Sequence, residues 1–419
     1  MGIATLWRLG GRGIVAARRL PLGLRPASTS ASATSCRAVL LPRFGGPEVL
    51  EVRSDVAVPD LKPREVLVRA RAVSINPLDL RMRCGYGRCI FEPLLPIILG
   101  RDISGEVAAV GASVSSLDVG QEVFGALHPT AVRGTYADYA ILSEDELTVK
   151  PASITHVVNF VYGFLSSNVI FVKTDSRLLY SKSDVNNLES NRLVDSFFED
   201  FVIVQEASAI PFAALTAWRA LKSTARITDG QRVLVIGGGG AVGLAAIQIA
   251  VAAGCSVSTT CGSQSIDRVL SVGAEQAIDY TAEDIENAIK GQFDVVLDTI
   301  GAPETEKTGI NLLRKGGHYM TLQGEAASLA DRYGLPIGLP AATAILLKKQ
   351  LQYRYSHGID YWWTYMRADA EGLHEIRRLS TAGMLKIPVD KVFPIAEVQK
   401  AHEVKQKRRV PGKVVLEVA

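Results

Sequence analysis

The sequence predicts an α/β protein with two domains, a small β-rich domain followed by a doubly wound parallel sheet. Two observations support this prediction. Residues 38–150 consist of short alternating segments punctuated by glycine, such as EVLVRARAVSI, and this alternation is typical of half-buried strands. From about Ile210 onward, buried strands alternate with helices, which is typical of a parallel sheet covered on both faces. The length of 419 residues suffices for two such domains.

The N-terminal segment has the composition of an organelle transit peptide. Residues 1–35 contain five arginines and no acidic residue, and they end in ASTSASATS. We predict a mitochondrial transit peptide over residues 1–37, with a disordered basic tail as the alternative. Without these arginines the formal net charge of +3 becomes 3 − 5 = −2, so we expect no nucleic-acid partner.

Cysteine spacing and hydropathy exclude other classes of protein. None of the five cysteines forms a CxxC pair, so the sequence predicts neither a disulfide framework nor a structural zinc site. No apolar run reaches the roughly 20 residues that a membrane helix needs.

The elements of the two domains follow one another in a regular order. In the first domain, GEVAAVGASV and VGQEVFGAL follow the first clear strand. In the second, the helix PFAALTAWRALKS precedes the strand RVLVIG and the helix AVGLAAIQIAVAAG; further strands are predicted at SVSTTC, QAIDY, FDVVLDTIG and HYMTLQG. The C-terminal GKVVLEV is a β-type segment that we expect to return to the first domain. The predicted boundaries are 38–155 with 358–419 for the first domain and 206–357 for the second.

Residues 156–205 interrupt this order. They combine an apolar stretch, VVNFVYGFLSSNVIFV, with a polar stretch that has no periodicity, and structureless loops of this length are rare inside compact domains. A lid or membrane-touching loop and an ordered extra subdomain are two interpretations. We favour a third, a disordered, atypical insert such as translated non-coding sequence, because joining His156 to Glu206 restores a continuous pattern.

A glycine-rich turn connects the first strand of the second domain to its helix. It contains Gly238, Gly240 and Gly243 in the pattern GxGxxG. Between a strand and a helix, this pattern lets the backbone approach a pyrophosphate, which the helix N-terminus then binds. The turn therefore predicts a dinucleotide site.

The end of the second strand indicates which dinucleotide. An NAD site usually places an acidic residue there, whereas this chain has Gly262 and Ser263. These small residues leave room for a 2′-phosphate, with Arg268 as a cationic partner or as a solvated helix residue. Tyr280, at the end of the third strand, either contacts the nucleotide or packs locally. We predict NADPH as the cofactor.

Several stretches together resemble the medium-chain dehydrogenase/reductase superfamily, and within it the zinc-free quinone oxidoreductase branch. They include SINPLDLRMRCGYG, LGRDISGEVAAVG, GTYADYAILSEDEL, VIGGGGAVG, DVVLDTIG and GKVVLEV. With the transit peptide, RMRCGYG and GRDISGE are most similar to the mitochondrial reticulon-interacting oxidoreductases. The resemblance implies a GroES-like catalytic domain, a Rossmann domain, and a quinone such as ubiquinone as acceptor.

The resemblance also implies site residues. Nucleotide contacts fall on the turn, on the ends of later strands and on a segment near the C-terminus, namely Gly239, Gly240, Ala241, Val242, Gly243, Gly262, Ser263, Tyr280, Thr321, Leu322, Arg409 and Val410. Arg409 and Val410 match by position and not by identity. In the substrate cleft the match points to Asn76 and Tyr86. A homodimer, a peripheral membrane contact that gives access to ubiquinone, and a reticulon-type partner are further expectations from the resemblance.

No metal ligands are predicted. Arg101 follows Gly100 where alcohol-oxidising relatives carry a zinc ligand, the stretch NPLD that ends in Asp79 has no cysteine at the first ligand position of the family, and the six histidines show no ligand spacing. Without a Lewis acid, hydride transfer needs an acceptor that delocalises charge, so we predict an NADPH-dependent reductase of quinones or enones in the mitochondrial matrix or at the inner membrane. Arg101 and Asp102 are predicted to form a structural or turn-stabilising pair. The alternative function is a weakly active or inactive nucleotide-binding partner protein, including a splice product disabled by the insert.

Overall fold

The computed structural model describes residues 35–154, 207–289, 291–407 and 412–418, together with 173–174 and 177–178. The first strand already begins at Ser35, which pairs with Ala57. The folded domain therefore starts before the predicted boundary at 37, and the remainder of the predicted transit peptide lies outside the described residues.

The first domain is built from strands and two short helices. The strands are β1 (Ser35–Leu41), β2 (Glu51–Ala57), β3 (Glu65–Ile75), β4 (Ile97–Ile98), β5 (Asp102–Val110), β6 (Glu122–Ala126), β7 (Tyr139–Ser143) and β8 (Leu147–Val149). The helices are α1 (Pro77–Arg83) and α2 (Arg88–Phe91). Within the described residues, β2, β1 and β4 form a three-stranded sheet, and β3, β5, β6 and β8 form one run of a larger sheet to which β7 pairs through β3.

Strand β3 shows why the alternating pattern folds in this way. Val66, Val68 and Ala70 are buried in the core of the domain, whereas Arg69 and Arg71 between and after them are exposed. The predicted strand EVLVRARAVSI coincides with β3, because a period of two residues matches a strand with one solvated face.

The predicted insert falls mostly outside the described residues. Of residues 156–205, the structure describes β9 (Lys173–Thr174) and β10 (Arg177–Leu178), which pair antiparallel. On either side of the insert, Ile154 and Ala207 are 2% and 0% exposed and belong to the same hydrophobic core.

The second domain contains a parallel sheet. Its strands are β11 (Arg232–Ile236), β12 (Ser256–Cys261), β13 (Gln276–Asp279), β14 (Phe293–Asp298), β15 (Leu313–Thr321) and β16 (Asp360–Trp363). Among the described residues their order is β13-β12-β11-β14-β15-β16, with every neighbouring pair parallel. This is the strand order of a Rossmann fold, in which the order reverses beside the first strand and opens a crevice there.

Helices cover both faces of this sheet. They are α3 (Pro211–Trp218), continued by a π-helical turn over Arg219–Thr224, then α4 (Ala241–Ala252), α5 (Ile266–Ser271), α6 (Ile285–Ala288), α7 (Pro303–Asn311), α8 (Ala326–Tyr333) and α9 (Leu335–Ser356). Helix α4 follows the glycine turn, and its Leu244 and Ile247 are fully buried against the sheet. Burial of each such side chain contributes about 1.5–3 kcal/mol. No helix among the described residues is both long and apolar enough to cross a bilayer.

The chain then returns to the first domain. After α10 (Ala370–Thr381), β17 (Val389–Pro394) and α11 (Val398–Lys407), strand β18 (Lys413–Glu417) pairs antiparallel with β3. The return of GKVVLEV agrees with the sequence prediction. The predicted boundary between 357 and 358 is wrong, because β16 pairs with β15 and so belongs to the nucleotide sheet.

Candidate active site

A cleft of ≈ 970 Å³ lies where the order of the parallel strands reverses. The glycine turn and the ends of β12 and β14 line one side, and the start of α1 and Lys413 line the other. Most of its wall is apolar, including Phe91, Phe212 and Ile300. Such a cavity, with a few convergent polar groups, is the usual form of a cofactor and substrate site.

The glycine turn is held by backbone hydrogen bonds. Gly237 adopts φ +86°, and the amides of Gly237 and Gly238 both donate to the carbonyl of Thr260, at 3.1 and 2.8 Å. Gly240 is the N-cap of α4 and makes no side-chain capping bond. Its helix therefore begins with backbone N–H groups available to an anion.

Packing around the turn explains which glycines the fold needs. A Cβ added to Gly238 would lie 2.0 Å from Oγ1 of Thr259, and one added to Gly243 would lie 2.3 Å from the carbonyl oxygen of Gly237. A Cβ at Gly240 meets nothing closer than 3.7 Å. Thus Gly238 packs behind the turn, Gly243 brings the helix against it, and open space beside Gly240 fits a nucleotide phosphate.

The predicted phosphate residues lie in the cleft wall, with one exception. Gly239, Gly240, Ala241, Val242 and Gly243 all line it, as do Gly237 and Ser265, which the sequence analysis missed. Gly238 is not among the lining residues, because it packs against Thr259.

The end of β12 has a polar surface that the sequence only partly indicated. Gly262, Ser263 and Tyr280 line the cleft as predicted. The Ser263 hydroxyl donates to Asp279, and Thr281 donates to the same carboxylate through its amide at 2.9 Å and its hydroxyl at 2.6 Å. These hydrogen bonds lower the pKa of Asp279. Parallel pairing of Cys261 with Asp279 places this carboxylate beside the tip of β12, a proximity that no local motif encodes.

Of the two nucleotide contacts predicted at the end of β15, only one lies in the cleft. Leu322 lines the cleft, whereas Thr321 is 2% exposed and lines a neighbouring cavity. The Thr321 hydroxyl accepts from the amide of Gln323 at 3.2 Å, and its carbonyl accepts from the amide of Thr364 at 2.9 Å. Arg409 and Val410 lie outside the described residues.

A buried polar cluster forms the floor of the cleft on the side of the first domain. It consists of Ser74, Asn76, Asp102 and Lys413, contributed by the end of β3, the start of α1 and the first residues of β5 and β18. Asn76 lines the cleft, as does the predicted Tyr86, whose pKa is raised by burial. Pairing of Val414 with Ile75 brings Lys413 opposite Asn76, a partner that the sequence analysis did not identify.

Arg101 and Asp102 do not form a pair with each other, contrary to one form of the sequence prediction. Arg101 is fully buried, and its guanidinium donates to the carbonyls of Gly100, Pro129 and Ala131 at 2.8, 3.0 and 3.1 Å. Its role is therefore to stabilise a turn, but without Asp102 as the predicted partner. Asp102, the first residue of β5, bonds instead to Lys413, the first residue of β18.

The residues described contain no group of three or more His, Cys, Asp or Glu side chains that could hold a metal ion. His128 lines the cleft, and burial, followed by the charges of Arg367 and Arg101, lowers its pKa.

Hydrogen bonds join the two domains at residues that line the cleft, among them Arg81, Gly87 and Gln323. Nη1 of Arg81 donates to Oε1 of Gln323 at 3.0 Å. The carboxylate of Asp331, on α8, accepts from the amides of Gly87 and Cys89 at 2.8 and 3.0 Å. These contacts join α1 and α2 to the nucleotide domain.

Two family profiles match the chain, one in each domain. Residues 62–152 match the alcohol dehydrogenase GroES-like domain, and residues 272–416 match the profile described as zinc-binding dehydrogenase. The chain belongs to the medium-chain dehydrogenase/reductase superfamily. It is therefore an oxidoreductase-type fold with a nicotinamide nucleotide site, as the glycine turn and the resemblance predicted.

Relatives in this superfamily align over most of the chain. The mouse (Mus musculus) protein named "NAD(P)H oxidoreductase RTN4IP1, mitochondrial" is 29% identical over 93% of this chain and 91% of its own length. The 2-methylene-furan-3-one reductase of Solanum lycopersicum is 29% identical over 75% of this chain and 71% of its own. In fold, the quinone oxidoreductase of Coxiella burnetii superposes with a TM-score of 0.69 at 24% identity, over 92% of this chain and 100% of its own.

Proposed function

We propose that this protein is an NADPH-dependent, metal-independent oxidoreductase of mitochondria that reduces a quinone, such as ubiquinone, or an enone. One observation carries the proposal: a single cleft joins the glycine turn to an apolar wall and to the amide of Asn76. The cleft is large enough for a nicotinamide and a conjugated acceptor to lie side by side. The mouse relative's name supports the mitochondrial assignment.

The chemistry of the cleft favours a carbonyl-conjugated acceptor. NADPH, when bound, supplies a hydride, and the acceptor takes it up while an electron pair moves onto its carbonyl oxygen; a proton from water then completes the reduction. The glycine turn holds the phosphates, the apolar wall excludes water, and Asn76 provides a polar group at the floor. The name of the tomato relative, a reductase of a conjugated ketone, agrees with such an acceptor.

The choice of NADPH over NADH rests on the end of β12. Gly262 and Ser263 leave space beside the ribose, and Arg268 lies on the next helix, α5. Asp279 opposes a 2′-phosphate, so we expect the Ser263 hydroxyl to turn from Asp279 toward the phosphate on binding. Thermal shift with NADPH and NADH tests this: NADPH should stabilise the protein more, and Arg268→Gln should reduce that difference. A larger shift with NADH would overturn the choice of cofactor.

Steady-state oxidation of NADPH tests the activity itself. A short-chain ubiquinone and an α,β-unsaturated ketone serve as acceptors, with a saturated ketone as the control. We expect turnover with at least one conjugated acceptor and none with the saturated ketone, because only conjugation spreads the incoming charge. Tight binding of NADPH without turnover of either acceptor would support a nucleotide-binding partner protein instead.

A further inference from the structure

A buried ion pair lies directly behind the amide of Asn76. Nζ of Lys413 is 2.7 Å from Oδ2 of Asp102, and the two side chains are 2% and 0% exposed. Charges this deeply buried require several partners, so the arrangement of their hydrogen bonds shows what the pair holds in place.

All three hydrogens of the Lys413 ammonium are engaged. Nζ donates to Oγ of Ser74 at 2.9 Å, to Oδ1 of Asn76 at 2.6 Å and to Oδ2 of Asp102. An ammonium has three donors and no acceptor. Lys413 therefore has no hydrogen left for a cofactor phosphate or for the acceptor while this arrangement persists.

Asp102 is fixed from two directions. Its Oδ2 accepts from Oγ of Ser74 at 2.6 Å and from Nδ2 of Asn76 at 2.8 Å, in addition to Lys413. Its Oδ1 accepts from the amide of Phe212, at the start of α3, at 2.6 Å. The carboxylate thus joins the floor of the cleft to a helix of the nucleotide domain.

The two charges determine how the amide of Asn76 is oriented. Its oxygen faces the ammonium and its nitrogen faces the carboxylate. Turning the amide over would place its N–H group against Lys413 and its oxygen against Asp102, and both contacts would become repulsive. One of the two Nδ2 hydrogens bonds Asp102, which leaves the second for a ligand in the cleft.

We propose that Lys413 and Asp102 are positioning residues that fix the amide of Asn76, so that its second Nδ2 hydrogen bonds the carbonyl oxygen of the acceptor. This inference rests on the proposed reduction of a carbonyl-conjugated acceptor. As the hydride arrives, the electron pair that moves onto that oxygen is stabilised by a hydrogen bond whose orientation is already set. A pre-oriented donor needs no reorganisation during the reaction, which makes it effective in a water-poor site.

A double-mutant cycle tests the proposal with duroquinone as the acceptor. One change is Asn76→Ala; the other is the pair Asp102→Asn with Lys413→Gln, which removes both buried charges together and so avoids an unpaired one. Lys150→Gln is the matched control, because Lys150 is also a buried lysine of the first domain, 7% exposed, but does not line the cleft.

We expect Asn76→Ala to lower kcat about 100-fold, in the range found for the loss of one oxyanion donor. The charge-free pair should lower kcat roughly 10-fold in the native background and have little further effect in the Asn76→Ala background, since residues acting through one group are not additive. The Kd of NADPH should stay within about twofold throughout, and Lys150→Gln should leave kcat unchanged. Equal loss from the charge-free pair in both backgrounds would overturn the proposal, as would a weakened Kd of NADPH with unchanged kcat.

A spectroscopic measurement tests the same contact without turnover. Isotope-edited infrared spectra of duroquinone bound to the NADP⁺-loaded protein should show a carbonyl stretch shifted to lower frequency, and this shift should be lost in Asn76→Ala and reduced in the charge-free pair. An identical carbonyl frequency in all three proteins would contradict the proposal. If wild-type protein binds NADPH but oxidises it with neither duroquinone nor an enone, the proposed function fails; if it turns over while the cycle is additive, only the positioning role fails.

Discussion

The glycine turn and the floor of the cleft are built in different ways. The turn is a local backbone structure in which residues between Gly237 and Gly243 place helix N–H groups toward the cleft. The floor is a side-chain cluster in which Asn76 and Asp102 are 26 residues apart in the sequence. Lys413, which bonds both, is 311 residues from Asp102 and 337 from Asn76. Under the proposed function, nucleotide binding depends on shape within one local motif, whereas activation of the acceptor depends on charges that the whole fold brings together.

The largest effect should come from breaking the ion pair of the floor. Asp102→Ala leaves Lys413 buried without its carboxylate, which should destabilise the protein by about 3–5 kcal/mol. The charge-free pair, Asp102→Asn with Lys413→Gln, should lose much less, because neither charge is then unpaired. Urea unfolding measures both. Equal losses would show that the floor depends on side-chain shape and not on charge.

A smaller effect is expected at the turn, where shape decides. Gly243→Ala places a Cβ 2.3 Å from a backbone oxygen that cannot move aside, and such overpacking typically costs about 1–3 kcal/mol. It should also weaken NADPH binding, since α4 must shift from the turn. Gly240→Ala is the matched control for folding, because its Cβ meets only a contact of 3.7 Å; its Tm should equal that of the wild type. A lower Tm in the control would contradict this account of the turn.

Acid should destabilise the helices that hold the floor of the cleft more than it destabilises the glycine turn. His402 is fully buried, and Nη1 of Arg83, from the helix that Asn76 begins, lies 3.2 Å from its Nδ1. Burial first, and then the Arg83 charge, lowers the pKa of His402 to about 3. Because this pKa is below the unfolded value, the unfolded state binds the extra proton, so stability falls as the pH drops below about 6.5.

The size of that pH effect follows from the linkage relation. Between pH 7 and pH 5 the His402 contribution should reduce the free energy of unfolding by about 2 kcal/mol. His402→Gln keeps an acceptor for Arg83 but does not titrate, so its stability should depend less steeply on pH over this range. Chemical unfolding at several pH values measures the slope, and an unchanged slope in the variant would assign the acid sensitivity to other groups.

The smallest effect is expected at the contact between α2 and α8, which joins the two domains. Asp331→Ala removes the acceptor for the amides of Gly87 and Cys89, at a cost of about 1–2 kcal/mol. Because Gly87 lines the cleft, the KM of the acceptor should rise several-fold while the Kd of NADPH stays constant. Asp331→Asn keeps one acceptor oxygen, so its KM should lie between those of the wild type and Asp331→Ala. If only the Kd of NADPH changed, the contact would support the nucleotide site at the turn and not the acceptor site at the floor.

The same contrast explains what could be predicted from the sequence. The strand EVLVRARAVSI and the turn from Gly239 to Gly243 were predicted because their information is local, in a period of two residues or in glycine spacing. Lys413 could not be found in this way, since only the antiparallel pairing of β18 with β3 brings it to Asn76. Strand β16 was misplaced for the same reason: DYWW is short, and its partner β15 is separated from it by the helices α8 and α9.

The most direct test is a stopped-flow measurement of a single turnover, in which duroquinone oxidises NADPH bound to wild-type protein or to Asn76→Ala. The Kd of NADPH is measured for each protein. A nucleotide site made by the turn and an acceptor site made by the floor predict equal Kd values and a hydride-transfer rate that is about 100-fold lower in the variant. Equal hydride-transfer rates in the two proteins would contradict the account, because the floor would then have no part in the reaction.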